Sequence, residues 1–357
     1  MPSIHPEEID DINFDEIIDV RSAGEFAEDF ISGAINLPVL DDSQRSEVGE
    51  IYKQISPFDA RRMGAGLVSA NIAAHLTNHF HSKPKSYMPL IYCWRGGQRS
   101  ISLATVLSAV GWKVHLLSGG YGAYRKYVSS TLGAIMEKGG HFRVIAGLTG
   151  TGKTLLLKRL SEMGQQVVDL EGLACHRGSA LGHDPLYQQP TQKRFENILL
   201  ERFAKLDLCK PIYLESESSR IGDLQIHNGL WAQMKNAPVI ELDVPLDVRA
   251  DYLLQCYSHF TDDPVCLLER LAPIRNLRPA ELINKWEEYI NKGDFEAFVR
   301  SILQQHYDPA YAKSRKKTFT APFATMKMDG VSADVIDSTA RGIVELERRL
   351  TEDSIKS

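Results

Sequence analysis

The sequence predicts two α/β domains in tandem, each built on a parallel sheet, the second carrying a helical extension. Three observations predict this. Short apolar strands alternate with helix-spaced segments between residues 16 and 117, the pattern of a parallel sheet with helical crossovers. A second alternation begins at Phe142. Its first strand runs into Gly147-Leu-Thr-Gly-Thr-Gly152-Lys153-Thr154, a glycine-rich loop that opens another helix.

Taken in order, Glu16–Val20 (EIIDV) reads as a short buried strand, followed by a helix through Ser22–Phe30. Residues 41–86 are helix-like and polar and read as an insertion. Leu90–Tyr92 is a second strand, which delivers Cys93 into a glycine-rich turn. Ile101, Leu103, Ala104, Leu107 and Val110 then recur at helical spacing. Lys113–Leu117 is a third strand, closed by Ser118-Gly119-Gly120. Gly139-Gly140 interrupts the pattern and marks a boundary within residues 134–141, which gives domains at 1–133 and 141–357. The second domain has strands FRVIA from Phe142, QQVVDL (165–170), PIYLE (211–215) and PVIELDV (238–244). The tail from residue 246 onward is helix-rich.

Composition limits the function classes. The chain has 357 residues, 43% of them hydrophobic and 24% charged, enough for two cores of ordinary globular type. The acidic start MPSIHPEEIDDI lacks the basic-then-apolar order of a secretory signal, and no apolar run reaches the roughly 18–20 residues needed to cross a bilayer. A cytoplasmic protein without a membrane partner is expected. Five cysteines without a CxxC pair fit reduced thiols. Cys256-x-x-His259 with Cys266 lacks a second ligand pair, so no zinc site is expected there. His75, His79 and His81 read as a solvated helix face.

The net charge of −5 does not advertise a nucleic-acid binder, but its distribution is uneven. Residues 1–60 hold 3 Lys/Arg against 15 Asp/Glu, and residues 61–140 hold 10 against 1. The basic block contains the cysteine loop. Basic side chains beside a thiol favour the thiolate and attract anions. The two blocks could equally interleave in space and cancel. A later basic run, Lys313-Ser-Arg315-Lys316-Lys317, reads either as a phosphate contact or as a solvated segment.

Residues 147–154 match G-x4-G-K-[ST] in full, between a predicted strand and a predicted helix. Glycines let successive backbone N–H groups face one anion, backed by the positive end of the helix. The candidate phosphate-binding residues are Gly147, Thr149, Gly150, Thr151, Gly152, Lys153 and Thr154. Lys153 adds a point charge, and Thr154 can ligate a magnesium ion held with the phosphates. The motif does not say which phosphate compound binds. Glu215 ends strand PIYLE where a Walker-B carboxylate would stand; Glu217 is a second candidate, and a surface turn is a third reading.

Tyr92-Cys-Trp-Arg-Gly-Gly-Gln-Arg-Ser100 is the other chemical motif. A strand ending in cysteine, then a glycine-rich turn and a helix, gathers backbone N–H groups around the sulfur. Such a sulfur attacks soft electrophiles or phosphorus. Cys93 is the catalytic candidate, with Arg95, Gly96, Gly97 and Arg99 as its loop support. Cys93 to Arg99 also spells the C-x5-R of a phosphatase cradle, so sulfur or selenium transfer and phosphatase chemistry both stay open on these residues alone.

The first domain resembles the rhodanese family. Its entry motif stands as Asp19-Val-Arg21, Glu25 and Gly33-Ala-Ile-Asn36-Leu-Pro38, and its closing motif as Leu117-Ser-Gly119-Gly120. Asp29-Phe30 replaces the usual Gly-His, and the active loop is one residue longer than the common C-x4-R form. That length is shared with dual-specificity cell-cycle phosphatases of the same fold, which carry His where this chain has Tyr92.

The whole chain is similar to the bacterial tRNA 2-selenouridine synthase family, a rhodanese-like domain fused to a P-loop NTPase-like domain. The likeness includes Leu170-Glu171-Gly-Leu-Ala174-Cys-His176-Arg177-Gly178-Ser179, Gln189-Pro-Thr-Gln192 with Phe195-Glu196-Asn197, and Glu215-Ser-Glu217-Ser with Arg220-Ile-Gly222. The resemblance implies a selenium and geranyl transferase acting on the wobble 2-thiouridine in the anticodon region of tRNA. Geranyl diphosphate would alkylate the sulfur, and selenophosphate would then replace the geranylthio group with selenium. It implies no tightly bound cofactor, with magnesium optional, and selenophosphate synthetase as a candidate partner. Lys153 and the loop amides would stabilise departing diphosphate. Cys93 would serve the selenium step as a Cys93–selenium adduct, with Arg95 and Arg99 as oxyanion partners. His176 and Arg177 lie beyond a strand end, where an α/β ligand crevice opens, and would touch tRNA or the prenyl diphosphate. Trp94, Tyr121, Tyr124 and Arg125 are candidates to grip unstacked bases, while the two tyrosines read equally as packing the helix after Gly120. The competing reading is a rhodanese-fold phosphatase or sulfurtransferase joined to an ATP-binding P-loop module.

Overall fold

The computed structural model describes residues 1–178, 187–257 and 263–356, without the side chains of 351 and 353–356. Ser179 and His259 therefore lie outside the described residues. The chain divides into two compact units, residues 1–133 with 190–200, and residues 134–189 with 201–357.

The first unit is a five-stranded sheet in the order β1-β5-β4-β2-β3, every pairing parallel. Its strands are β1 (Ser3–Ile4), β2 (Glu16–Asp19), β3 (Ala34–Asn36), β4 (Pro89–Tyr92) and β5 (His115–Leu117). Strand β4 is buried along its whole length, as a central strand covered on both faces must be. Sequence reasoning missed β1 and β3, which are too short to show a period of two. Helix α1 (Ala23–Glu28) starts at Ser22, where Glu25 closes a capping box. The polar insertion is a helical pair, α2 (Asp42–Gln54) and α3 (Pro57–His75). Asp41 accepts the Gln44 N–H at 2.8 Å, a cap that contributes about 1 kcal/mol.

His75 and His79 are half-buried, not solvated: Nε2 of His75 lies 2.9 Å from the Pro38 carbonyl and that of His79 lies 2.7 Å from Glu16. The acidic and basic blocks do interleave. Lys83 pairs with Glu16, and Arg99 pairs with Glu25 at 2.7 Å.

Helix α4 (Gln98–Val110) follows the cysteine loop, and α5 (Gly120–Lys138) follows the closing motif. The division at 133/134 falls inside α5, so Gly139-Gly140 ends a helix that starts in the first unit. Helix α8 (Gln192–Phe203) gives its residues 192–200 to the first unit. There Asn197 donates to Asp29 at 3.2 Å and to the Phe30 carbonyl at 2.8 Å, and the Arg194 guanidinium sits 4.2 Å from the Phe30 ring centroid. Asp29-Phe30, the departure from Gly-His, is where this segment docks.

The second unit is a five-stranded parallel sheet in the order β12-β11-β6-β8-β7. Its strands are β6 (Phe142–Gly147), β7 (Gln166–Val168), β8 (Ile212–Glu215), β11 (Val239–Asp243) and β12 (Pro322–Lys327); Arg220–Ile221 (β9) and Leu224–Gln225 (β10) form a separate hairpin. Strand β12 corrects the reading of the tail as helical: its residues alternate half-buried and exposed on an edge, which leaves no apolar run to read. The QQVVDL strand is also shorter than expected. It stops at Val168, because Asp169 accepts the Gly172 N–H at 2.7 Å and caps helix α7 (Leu170–Leu173). Helix α6 (Lys153–Glu162) buries Leu156, Leu157 and Leu160 against the sheet, joined by Ile336, Ala340 and Ile343 of the C-terminal helix Ala333–Lys356. The helical extension, starting with α9 (Leu246–Cys256), builds its own core around the fully buried Trp286.

Candidate active site

In the first unit β4 delivers Cys93 to the loop and α4 begins five residues later. The thiol is 3% exposed. Its sulfur accepts the Gly97 N–H at 3.3 Å and lies 3.2 Å from Ser100 Oγ. The closing motif holds the loop from behind. Tyr121 and Gly122 donate their N–H groups to the Cys93 and Trp94 carbonyls, both at 2.8 Å. Gly120 has φ of +61°, and a Cβ there would stand 2.3 Å from the Cys93 oxygen, so only glycine fits.

Arg95 is exposed on the loop between Cys93 and Gly96-Gly97. Arg99, expected as an oxyanion partner, is turned instead to Glu25, at 2.7 and 3.4 Å. Burial alone would raise the Glu25 carboxyl, but Arg99 and Arg45 together hold it below the usual carboxylate range. Tyr92, in place of the phosphatase histidine, is a core residue whose hydroxyl accepts the Ile31 N–H at 3.2 Å. Behind the loop Arg21 is fully buried, bonded to Asp19 at 2.6 Å and stacked 3.9 Å from the Tyr121 ring centroid. Tyr121 and Tyr124 are packing residues: their hydroxyls donate to Asp29 at 2.8 Å and to Asn197 at 2.6 Å. Arg125 pairs with Glu196. The two tyrosines are buried and Arg125 is half-buried. Trp94 stays half-buried, its ring 5.9 Å from the Lys193 ammonium.

In the second unit the loop after β6 opens into a cavity of about 710 Å³. Thr149, Gly150, Thr151, Gly152, Lys153 and Thr154 line it, as do His176, Arg177 and Glu217. Gly147 stands at the base of the loop, its N–H donated to the Tyr311 hydroxyl at 2.8 Å. Lys153 Nζ donates to the Gly147 carbonyl at 3.0 Å. The Arg177 guanidinium lies 4.7 Å from the Tyr257 ring centroid.

Of the two candidate carboxylates, Glu217 is on the cavity wall. Glu215 is not among its lining residues: fully buried, it accepts the Leu170 and Glu171 N–H groups at 3.0 and 3.3 Å and so anchors α7. Burial, then Asp169, pushes the Glu215 carboxyl well above the usual range. Burial, then Glu171, does the same for Glu217.

Sequence reasoning missed the far wall of the cavity. The helical extension supplies Tyr252, Tyr257, Tyr307, Tyr311, Arg315 and Phe319. The spacing of Tyr307 and Tyr311, one helical turn apart, was the available signal. Arg315 is paired with Glu241 at 3.0 Å, while Lys313, Lys316 and Lys317 are exposed at the end of helix Asp308–Thr318. All five cysteines are thiols. No cluster of three or more metal-ligating side chains occurs, and no helix is long and apolar enough to cross a membrane, among the described residues.

Two family models match the chain. Residues 2–127 match the rhodanese-like domain, and residues 140–268 match the tRNA 2-selenouridine synthase AAA domain. The tRNA 2-selenouridine synthase of Sulfurovum sp. is 35% identical over 84% of this chain and 88% of its own length. That of Nitrosomonas europaea is 35% identical over 68% of this chain, a match spanning 63% of that protein. Among solved structures, the N-terminal domain of a Clostridium difficile protein described as ATP/GTP binding is 37% identical over 35% of this chain and 98% of its own, with a TM-score of 0.32. With both domain models matched and relatives aligned along most of its length, the chain belongs to the tRNA 2-selenouridine synthase family, enzymes that modify tRNA.

Proposed function

We propose that the enzyme makes 2-selenouridine at the tRNA wobble position in two steps, geranylation in the P-loop cavity and selenium exchange at Cys93. The observation that carries this reading is the cavity itself, where a phosphate-binding loop and an aromatic wall face one space. Geranyl diphosphate has that same polarity, an anionic head and an apolar tail. The loop amides and Lys153 would hold the diphosphate and stabilise the charge that develops as it leaves. Tyr252, Tyr257 and Phe319 would flank the prenyl chain. Arg177 is a second cation for the diphosphate or for the incoming tRNA.

A magnesium ion fits this loop, since the Thr154 hydroxyl is a hard oxygen donor on the cavity wall and magnesium commonly completes its shell with phosphate oxygens and water. When bound, it would neutralise charge on the diphosphate. Cys93 would serve the selenium step with selenophosphate as donor, supplied by selenophosphate synthetase in the cytoplasm. A phosphatase reading of C-x5-R is disfavoured because the Arg99 guanidinium is engaged with Glu25.

The test is mass spectrometry of nucleosides from 2-thiouridine tRNA incubated with the enzyme and geranyl diphosphate, then with selenophosphate. A geranylated nucleoside followed by a selenated one is expected. Absence of both from a folded, tRNA-binding preparation overturns the reading.

A further inference from the structure

S-geranylation of 2-thiouridine releases a proton. The base carries hydrogen on N3, and once the sulfur is alkylated C2 and N3 are joined by a double bond, leaving N3 without one. The loop meets the diphosphate with N–H groups and the Lys153 ammonium, and the basic side chains suited to take this proton lie elsewhere on the cavity wall.

Two carboxyl groups there are set against each other. Glu171 in α7 and Glu217 beyond β8 both line the cavity. Their oxygens converge over Gly178: a Cβ at that residue would lie 2.6 and 2.8 Å from the Glu217 oxygens and 2.8 Å from Glu171 Oε1. Gly178 has φ of +65°, and with no side chain it leaves room for the two carboxyl groups. A carboxyl group this close to Glu217 favours its protonated form, so Glu217 once ionised is a stronger base than an isolated carboxylate. The direction found for Glu217, raised by burial and by Glu171, agrees with that geometry.

The other charged and titratable groups on this wall do not compete. Lys153, Arg177 and Arg315 are cations. His176 accepts the Gly178 N–H on Nδ1 at 3.1 Å, and His306 accepts from Arg278 on Nδ1 at 3.2 Å. Each neutral ring then carries its hydrogen on Nε2 and has no lone pair to offer. Glu215 is engaged with the backbone of α7. The thiols and tyrosines of the wall are weak bases when protonated.

We propose that the Glu171–Glu217 pair is the general base of geranylation. As the sulfur attacks C1 of the geranyl group, the S–C1 bond forms and the C1–O bond breaks, releasing diphosphate with its electron pair. The N3–H bond breaks, its electrons become the C2–N3 double bond while the C2–S double bond becomes single, its π pair moving to sulfur, and the proton passes to a carboxylate oxygen of the pair. This rests on the geranyl reading above.

The experiment compares the full-length enzyme with Glu217→Gln, and with Glu171→Gln as a second variant. Geranylation of 2-thiouridine tRNA is followed from about pH 5 to pH 9, alongside equilibrium binding of geranyl diphosphate. The wild type should show a rate that rises with pH as the pair gives up its proton. Each variant should lose about 10²–10⁴-fold in kcat and lose that acid limb, with geranyl diphosphate affinity unchanged. Either variant retaining kcat and the acid limb overturns the proposal. So does a loss accounted for by weaker diphosphate binding, which would make the pair part of the binding site only. Failure of the wild type to geranylate at all would instead refute the geranyl reading.

Discussion

The cysteine loop and the phosphate loop share one plan, a parallel strand running through glycines into a helix, yet they use it in opposite ways. Around Cys93 the polar groups are engaged with one another. The sulfur takes the Gly97 N–H, Arg99 takes Glu25, and the closing glycines press on the loop carbonyls. Around Lys153 the loop faces a cavity of about 710 Å³, and a second wall of tyrosines comes from a distant helical extension. A rigid, nearly closed loop suits a single reactive atom presented in one geometry. An open loop with a separate wall suits a substrate with a charged head and a bulky tail. The difference lies in what covers each loop, not in the loop itself.

The largest effects should come from separating the two regions. Cys93→Ala should lower selenation by about 10³-fold or more while geranylation stays within two-fold of wild type. Lys153→Ala should lower geranylation by about 10²–10³-fold and leave selenation of pre-geranylated tRNA intact. Both are read from the same nucleoside mass spectra. If Cys93→Ala removed geranylation as well in a folded protein, the two loops would not divide the labour.

Next in size is Gly120→Ala, which tests the closed loop. A Cβ 2.3 Å from the Cys93 oxygen at positive φ cannot be accommodated without moving the loop backbone. A cost of about 2–4 kcal/mol is expected, confined to the first unit. Hydrogen exchange should show lost protection at Tyr121 and Gly122 and unchanged protection in β6 and α6. Selenation should fall with it and geranylation should not. Uniform loss of protection across both units would mean that the loop is not locally held.

Both loops were legible in the sequence because their chemistry is contiguous. Cys93 to Ser100 and Gly147 to Thr154 each carry their donors, turn and helix start within nine residues. The parallel sheets were legible for a similar reason, since β4, β6, β8 and β11 are short, mostly apolar runs. What was not legible comes from far along the chain. Strand β12 lies some eighty residues beyond the strand it pairs with, and its half-buried edge pattern resembles a loop. Residues 190–200 read as part of the second domain, yet Asn197 and Arg194 fasten them to Asp29-Phe30 in the first. Glu215 and Glu217 could not be separated because both stand at the end of a buried strand. Only the position of α7, which Glu215 holds by two backbone N–H groups, leaves Glu217 for the cavity.

The smallest predicted effect probes the open loop's distant wall. The Tyr311 hydroxyl accepts the Gly147 N–H at 2.8 Å and lies 3.0 Å from Ser216 Oγ. Because its oxygen is already an acceptor, its own hydrogen is available to Ser216, and one side chain fixes both the first glycine of the loop and the residue before Glu217. Tyr311→Phe keeps the ring and leaves the Gly147 donor unpaired, a cost of about 1–2 kcal/mol. If that cost falls on the loop's bound geometry, KM for geranyl diphosphate should rise about 5–30-fold, with kcat within two-fold and selenation of pre-geranylated tRNA untouched. Ser216→Ala should do less, because it removes only the second bond. The double variant should fall short of the sum of the two, since both act through one hydroxyl. Additive effects would show that Tyr311 and Ser216 act separately. An unchanged KM would show that the helical extension covers the loop without setting its shape.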